Sequence, residues 1–198
     1  MSHPLSDRMP PIPRERMTDA QRAAADELIA GPRKAVKGPF IPLLRSPELM
    51  ARLQKVGEYL RFGSALPPRL SEFATLLVAR QWTQAFEWGV HVPLAIAAGT
   101  HPQTIDALRE GRRPVTMSAE EALVFDLVAE LDAERGVSDA RYAAAVAGLG
   151  EQGVLDLLGL VGYFTTISMV LNVARTPADA PAGVAPLPAR TPRGSSGG

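Results

Sequence analysis

The chain contains no cysteine among its 198 residues. That excludes disulfides, thiolate metal sites and any mechanism with a cysteine nucleophile. Neither charge is in surplus, since Lys+Arg and Asp+Glu each total 21. Nucleic acid is not the expected partner, because phosphate binding draws on a positive surplus. Period-two alternation is missing throughout, so no strand is expected. There is no HExxH, no GxSxG and no Gly-rich phosphate loop, the Gly150–Gly153 stretch reading only as a turn. The longest apolar run, Val154 to Val173, is interrupted by Asp156 and two glycines, so no membrane partner is expected. The opening residues lack the apolar core of a signal peptide, and a cytoplasmic location is expected.

What is present is an apolar content of 46%, enough for one domain with a sizeable core. The pattern is all-α. Residues 1–16, rich in Pro and Arg, read as an extended arm, 17–175 as the helical domain, and 176–198 as a disordered Pro/Ala/Gly/Ser tail without core-forming residues. Thr18 with Gln21, and Ser118 with Glu121, form capping boxes. Helices are predicted to Ala30, from Ser46-Pro47 to Phe62, and from Pro67-Pro68 through Gln81. Further helices are predicted over 86–98 after a kink near Gln84, and over 102–109, 119–134, 139–149 and 151–174. Residues 31–45, with three prolines and two glycines, read as loop.

The stretch 82–91, Trp-Thr-Gln-Ala-Phe-Glu-Trp-Gly-Val-His, carries the chemistry. Glu87 and His91 lie four residues apart and share one helix face. Only three histidines are present, and the other two lie near loops or the terminus. An imidazole titrates near neutrality, and an acid at this spacing makes the pair a candidate proton-transfer device. The plainer alternatives are a core histidine with a local hydrogen bond and a surface ion pair. Glu72, Leu76 and Arg80 form a row on the preceding helix, either as a solvated face or with Arg80 turned inward as a carboxylate fork. Trp82 is read as an apolar wall, and Glu72 and Gln84 as substrate contacts or support. Tyr163 and Asn172, on an apolar helix, either line a pocket or brace helices.

The segment from Arg69-Leu70-Ser71-Glu72 through Ala79-Arg80, Phe86-Glu87-Trp88, His91 and Ala95 to Gly99 resembles the core signature of the carboxymuconolactone decarboxylase family. That resemblance implies the all-helical alkylhydroperoxidase D-like fold and a homotrimer or homohexamer with its site near a subunit contact. In the family's peroxidase branch the signature is a glutamate, a Cys-x-x-Cys pair and a histidine. Here the glutamate and histidine fall on Glu72 and His91, and the cysteine positions on Gln84 and Glu87. Thiol-based peroxide reduction is excluded by the missing thiolate. The decarboxylase branch implies a cofactor-free acid/base lyase or isomerase acting on a small carboxylated lactone from aromatic catabolism. His91 would be the acid/base, Glu87 its orienting partner and Arg80 the carboxylate anchor. The rivals are a non-enzymatic helical oligomer that binds a small acid, and a metal-assisted enzyme using Glu72, Glu87 and His91.

Overall fold

The computed structural model describes residues 6–178 and 181–189. The parts of the arm and tail expectations that concern 1–5, 179–180 and 190–198 lie outside the described residues. Among the described residues the chain is all-helical, and it contains no strand. The helices are α1 (Asp19–Ala30), α2 (Phe40–Leu43), α3 (Pro47–Phe62), α4 (Pro68–Gln81), α5 (Ala85–Ala97), α6 (Pro102–Arg109), α7 (Ala119–Glu134) and α8 (Asp139–Ala174).

Both capping boxes form, Thr18 with Gln21 at α1 and Ser118 with Glu121 at α7. Pro47 takes the first position of α3, but Ser46 makes no side-chain cap there. Residues 31–45 are not all loop, because Phe40–Leu43 form the one-turn α2. The two helices expected on either side of residue 150 are both present, and α8 is kinked between them at Gly150, whose backbone is non-helical (φ 71°, ψ 166°).

α4 is the central helix. It packs against α3, α5, α6, α7 and α8, and every residue from Phe73 to Ala79 is buried. A helix that is apolar nearly all round is stable only when surrounded in this way. Within 70–79, Glu72 is its single charged residue, and a charge in such a helix requires a partner. α4 and α5 do not continue through a kink. They are separate helices joined by a tight turn in which Thr83 takes φ +50°. Asn172 of α8 braces that turn: its Nδ2 donates to Trp82 O (3.0 Å) and its Oδ1 accepts from Gln84 Nε2 (2.8 Å).

α8 is long and apolar enough, by composition, to cross a membrane. Its buried face packs on α3, α4 and α7, with Leu157, Leu160, Ile167 and Leu171 in the core. Residues 181–189 run as irregular backbone over the body rather than without contacts. Val184 and Leu187 pack against the core, and Ala185 O accepts from Trp88 Nε1 at 3.1 Å.

Candidate active site

α5 starts where the Gln84 side chain accepts from Phe86 N–H at 2.7 Å. This cap sets the phase of the helix, and one turn in, Glu87 and His91 both point inward at 4% and 5% exposure. α4 lies alongside and presents Glu72 to the other edge of the imidazole. His91 Nδ1 contacts Glu72 Oε2 at 2.5 Å, and His91 Nε2 faces Glu87 Oε2 at 3.3 Å. The imidazole is thus held between two carboxylates from two helices. Phe164 of α8 closes its flank in an edge-to-face contact, 5.1 Å between centroids.

Burial alone would depress the His91 pKa. The hydrogen bonds and charges of Glu72 and Glu87 overcome it and raise the pKa from its ordinary 6.5 to about 9. At neutral pH the ring is therefore an imidazolium, with an N–H at each nitrogen and a carboxylate for each. It enters any reaction as an acid. The two protons are not equivalent. The short Nδ1 contact goes to Glu72, which does not line the cavity, whereas Nε2 faces Glu87, which does. The Nε2 proton is the one available to a bound molecule.

That wall belongs to a cavity of about 310 Å³, near the lower end of the range for small-molecule sites. Its apolar sides are Phe40, Phe86, Val90, Phe164 and Ile167. Its cations are Arg33 and Lys37 from the segment before α2 and Arg61 from α3, and Tyr163 adds a phenol. Arg33 stacks on the Phe40 ring at 4.5 Å. The same segment fits closely over α5: a Cβ at Gly38 (φ +54°) would lie 2.3 Å from the Phe86 ring, so the strap requires glycine there. With three cations against one lining carboxylate, the lining carries a positive surplus that favours an anion over a cation.

The candidates from sequence separate into two groups. Glu72, Glu87 and His91 come together, Glu87 and His91 lining the cavity and Glu72 lying behind the imidazole. Arg80 does not line it; its guanidinium sits against Gly111, beyond α6. Trp82 lines a different cavity with Val128, Leu131 and Val161, and Gln84 is a buried helix cap. The anchoring arginine read as Arg80 is thus replaced at the cavity by Arg33 and Arg61. Tyr163 lines the cavity, while Asn172 is a brace. No group of three or more His, Cys, Asp or Glu among the described residues is arranged to hold a metal ion. The triad instead spends both ring nitrogens on carboxylates.

Residues 47–130, from the start of α3 into α7, match the carboxymuconolactone decarboxylase family. This segment is a carboxymuconolactone decarboxylase family domain. No relative among curated proteins matches the chain. The family segment supplies Gly57, Arg61, Glu72, Phe86, Glu87 and His91, and so holds the whole acid/base triad. Arg33, Lys37, Tyr163 and Phe164 fall outside it. The acid/base groups of the cavity thus lie within the matched segment, and the walls that would meet the rest of a ligand are shared between it and the flanking sequence.

The raised His91 pKa fixes a pH dependence. A group whose folded pKa lies above its unfolded value adds stability that is complete below the unfolded value and lost as pH rises through the folded one. For His91 the window runs from 6.5 to about 9, and the contribution is about 3 kcal/mol. Thermal unfolding followed from pH 6 to 10 should show Tm falling across that window in the wild type. In a His91→Gln variant, which has no such group, the fall should be absent.

Proposed function

We propose that the protein is a cofactor-free acid/base lyase or isomerase acting on a small carboxylated lactone or a related intermediate of aromatic catabolism. The carrying observation is the buried Glu72–His91–Glu87 triad opening on a cavity whose other charges are Arg33, Lys37 and Arg61. The cationic side binds and orients the carboxylate. The apolar walls exclude water and hold the ring.

Loss of CO2 leaves its bonding pair in the substrate as a delocalised anion. His91 Nε2–H then delivers the proton that quenches it. Glu87 steadies the departing proton, Glu72 holds the ring in orientation, and the neutral imidazole produced then takes a proton from solvent, drawn by the two carboxylates. In an isomerase step the Glu87 carboxylate takes the proton from one carbon and His91 Nε2–H supplies the proton delivered to another, after which the proton passes from Glu87 to the imidazole. Assembly as a homotrimer or homohexamer belongs to this proposal. It is supported by apolar residues left exposed on α3 and α8, among them Phe62, Leu155 and Val173.

The test is incubation with a panel of carboxylated five-membered lactones, followed by mass spectrometry. Loss of CO2, or an isomer shift that the His91→Gln variant fails to produce, is the expected result. Saturable binding with no change in any compound would instead identify the rival small-acid-binding module.

A further inference from the structure

Tyr163 and Arg33 meet over a bare patch of backbone. A Cβ at Gly57 would lie 2.3 Å from the Tyr163 hydroxyl oxygen and 2.8 Å from Arg33 Nη2. The phenol and the guanidinium therefore occupy the space that any larger residue at 57 would fill. Gly57 sits inside α3, where glycine is less favourable than alanine, and this clearance is what the helix gains from it. All three residues line the cavity that His91 and Glu87 face. Phe164 touches both rings edge-to-face, His91 at 5.1 Å and Tyr163 at 5.2 Å, and so fixes the phenol relative to the imidazole.

A guanidinium beside a phenol oxygen can only donate to it. The phenol proton is then left to point into the cavity that Tyr163 lines. Burial pushes the Tyr163 phenol above its ordinary value against the opposing charge of Arg33, so the proton stays in place.

We propose that Tyr163 is a second catalytic residue, whose phenol donates a hydrogen bond to the oxygen on which negative charge collects during the reaction, with Arg33 and Gly57 as its positioning residues. This rests on the acid/base reading above and adds the electrophile to it. As the bond to the departing carboxylate breaks, its electron pair moves through the conjugated system onto the carbonyl oxygen, and CO2 leaves. The enolate oxygen accepts the Tyr163 hydrogen bond, and the phenol keeps its proton. The pair then returns to carbon, which takes the Nε2 proton of His91, and the imidazole regains a proton from water. Donors placed where charge develops, in a site closed to water, are among the strongest catalytic contributions.

Two probes separate this step from anion binding in general. 4-Nitrobenzoate offers only a carboxylate. 4-Hydroxy-3-nitrobenzoate adds a phenol that titrates near neutrality, changes colour on ionising and mimics an enolate oxygen. The wild type should bind both, and should hold the second as its phenolate to lower pH than in free solution. Tyr163→Phe should bind 4-nitrobenzoate within twofold of wild type, lose about tenfold for the phenolate, as expected for one charge-assisted hydrogen bond, and shift the bound probe's titration upward by about one pH unit. Gly57→Ala retains the phenol but displaces it, and should reproduce the phenolate loss. If Tyr163→Phe binds both probes like wild type with an unchanged titration, the catalytic role of Tyr163 is overturned and the anion-binding reading survives. If the wild type binds neither probe, both fall together.

Discussion

Replacing His91 by alanine is expected to remove activity and a large share of the stability at once. The rate loss should be about 10²-fold or more, the usual worth of a positioned general acid. The stability loss has a separate cause. In the native protein one cation lies between Glu72 and Glu87, at 2.5 Å and 3.3 Å. Without it the buried Glu87 and the largely covered Glu72 share one space with no counter-charge. Breaking a buried ion pair by removing one partner costs about 3–5 kcal/mol, a large share of the roughly 5–15 kcal/mol that holds a domain folded. Glutamine keeps the volume and one donor, so His91→Gln should fold better while remaining as slow. Acidification distinguishes this account from simple cavity formation. A single proton placed between the two carboxylates relieves their repulsion, so the Tm of His91→Ala should rise from pH 7 to pH 5. A cavity has no charge to relieve, and a Tm insensitive to pH in that range would show that the carboxylates are not the cause.

Much of this site was readable before folding. Glu87 and His91 share a helix face by spacing alone, and the caps at Ser118 and His101-Pro102 fixed α7 and α6 to their observed limits. Glu72 was legible as a candidate but its role was not. Its pairing with His91 depends on how α4 lies on α5, which no local pattern records. The available signal was that Glu72 is the only charge between residues 70 and 79 of a helix otherwise built for the core. Arg80 was misplaced for a geometric reason. Eight residues along a helix of 3.6 per turn advance about 12 Å and turn about 80° away from the starting face. A row of Glu72, Leu76 and Arg80 is therefore a spiral, and its far end leaves the cavity. Trp82 goes further, lying past the end of α4. Arg33 and Lys37 were hidden because a proline- and glycine-rich segment has no period from which a face can be read, and their position depends on the strap fitting over Phe86 at Gly38. The tail showed the same limit. Its composition suggested no core contribution, yet Val184 and Leu187 find apolar contacts and Trp88 finds its acceptor there.

The relocated anchor leads to the second large effect. Arg33→Ala should weaken binding of 4-nitrobenzoate by roughly 10–100-fold, the equivalent of one charge-assisted contact to a carboxylate. Arg80→Ala should leave that affinity within twofold. The comparison is informative because both residues are arginines with a buried Nε that has no hydrogen-bond partner among the described residues. Burial and charge alone do not separate them; position does. Arg33 stacks on Phe40 at the cavity, with its head beside Tyr163, while Arg80 lies against Gly111 on the other side of α4. Arg61 and Lys37 are more exposed and face solvent at the mouth, so their contribution should be screened by salt over roughly a Debye length, about 8 Å at physiological ionic strength. Calorimetric titration at low and at high salt makes the distinction. The Arg61→Ala penalty should shrink as salt is added, and the Arg33→Ala penalty should persist. Equal penalties for Arg33→Ala and Arg80→Ala would place the carboxylate somewhere other than this cavity.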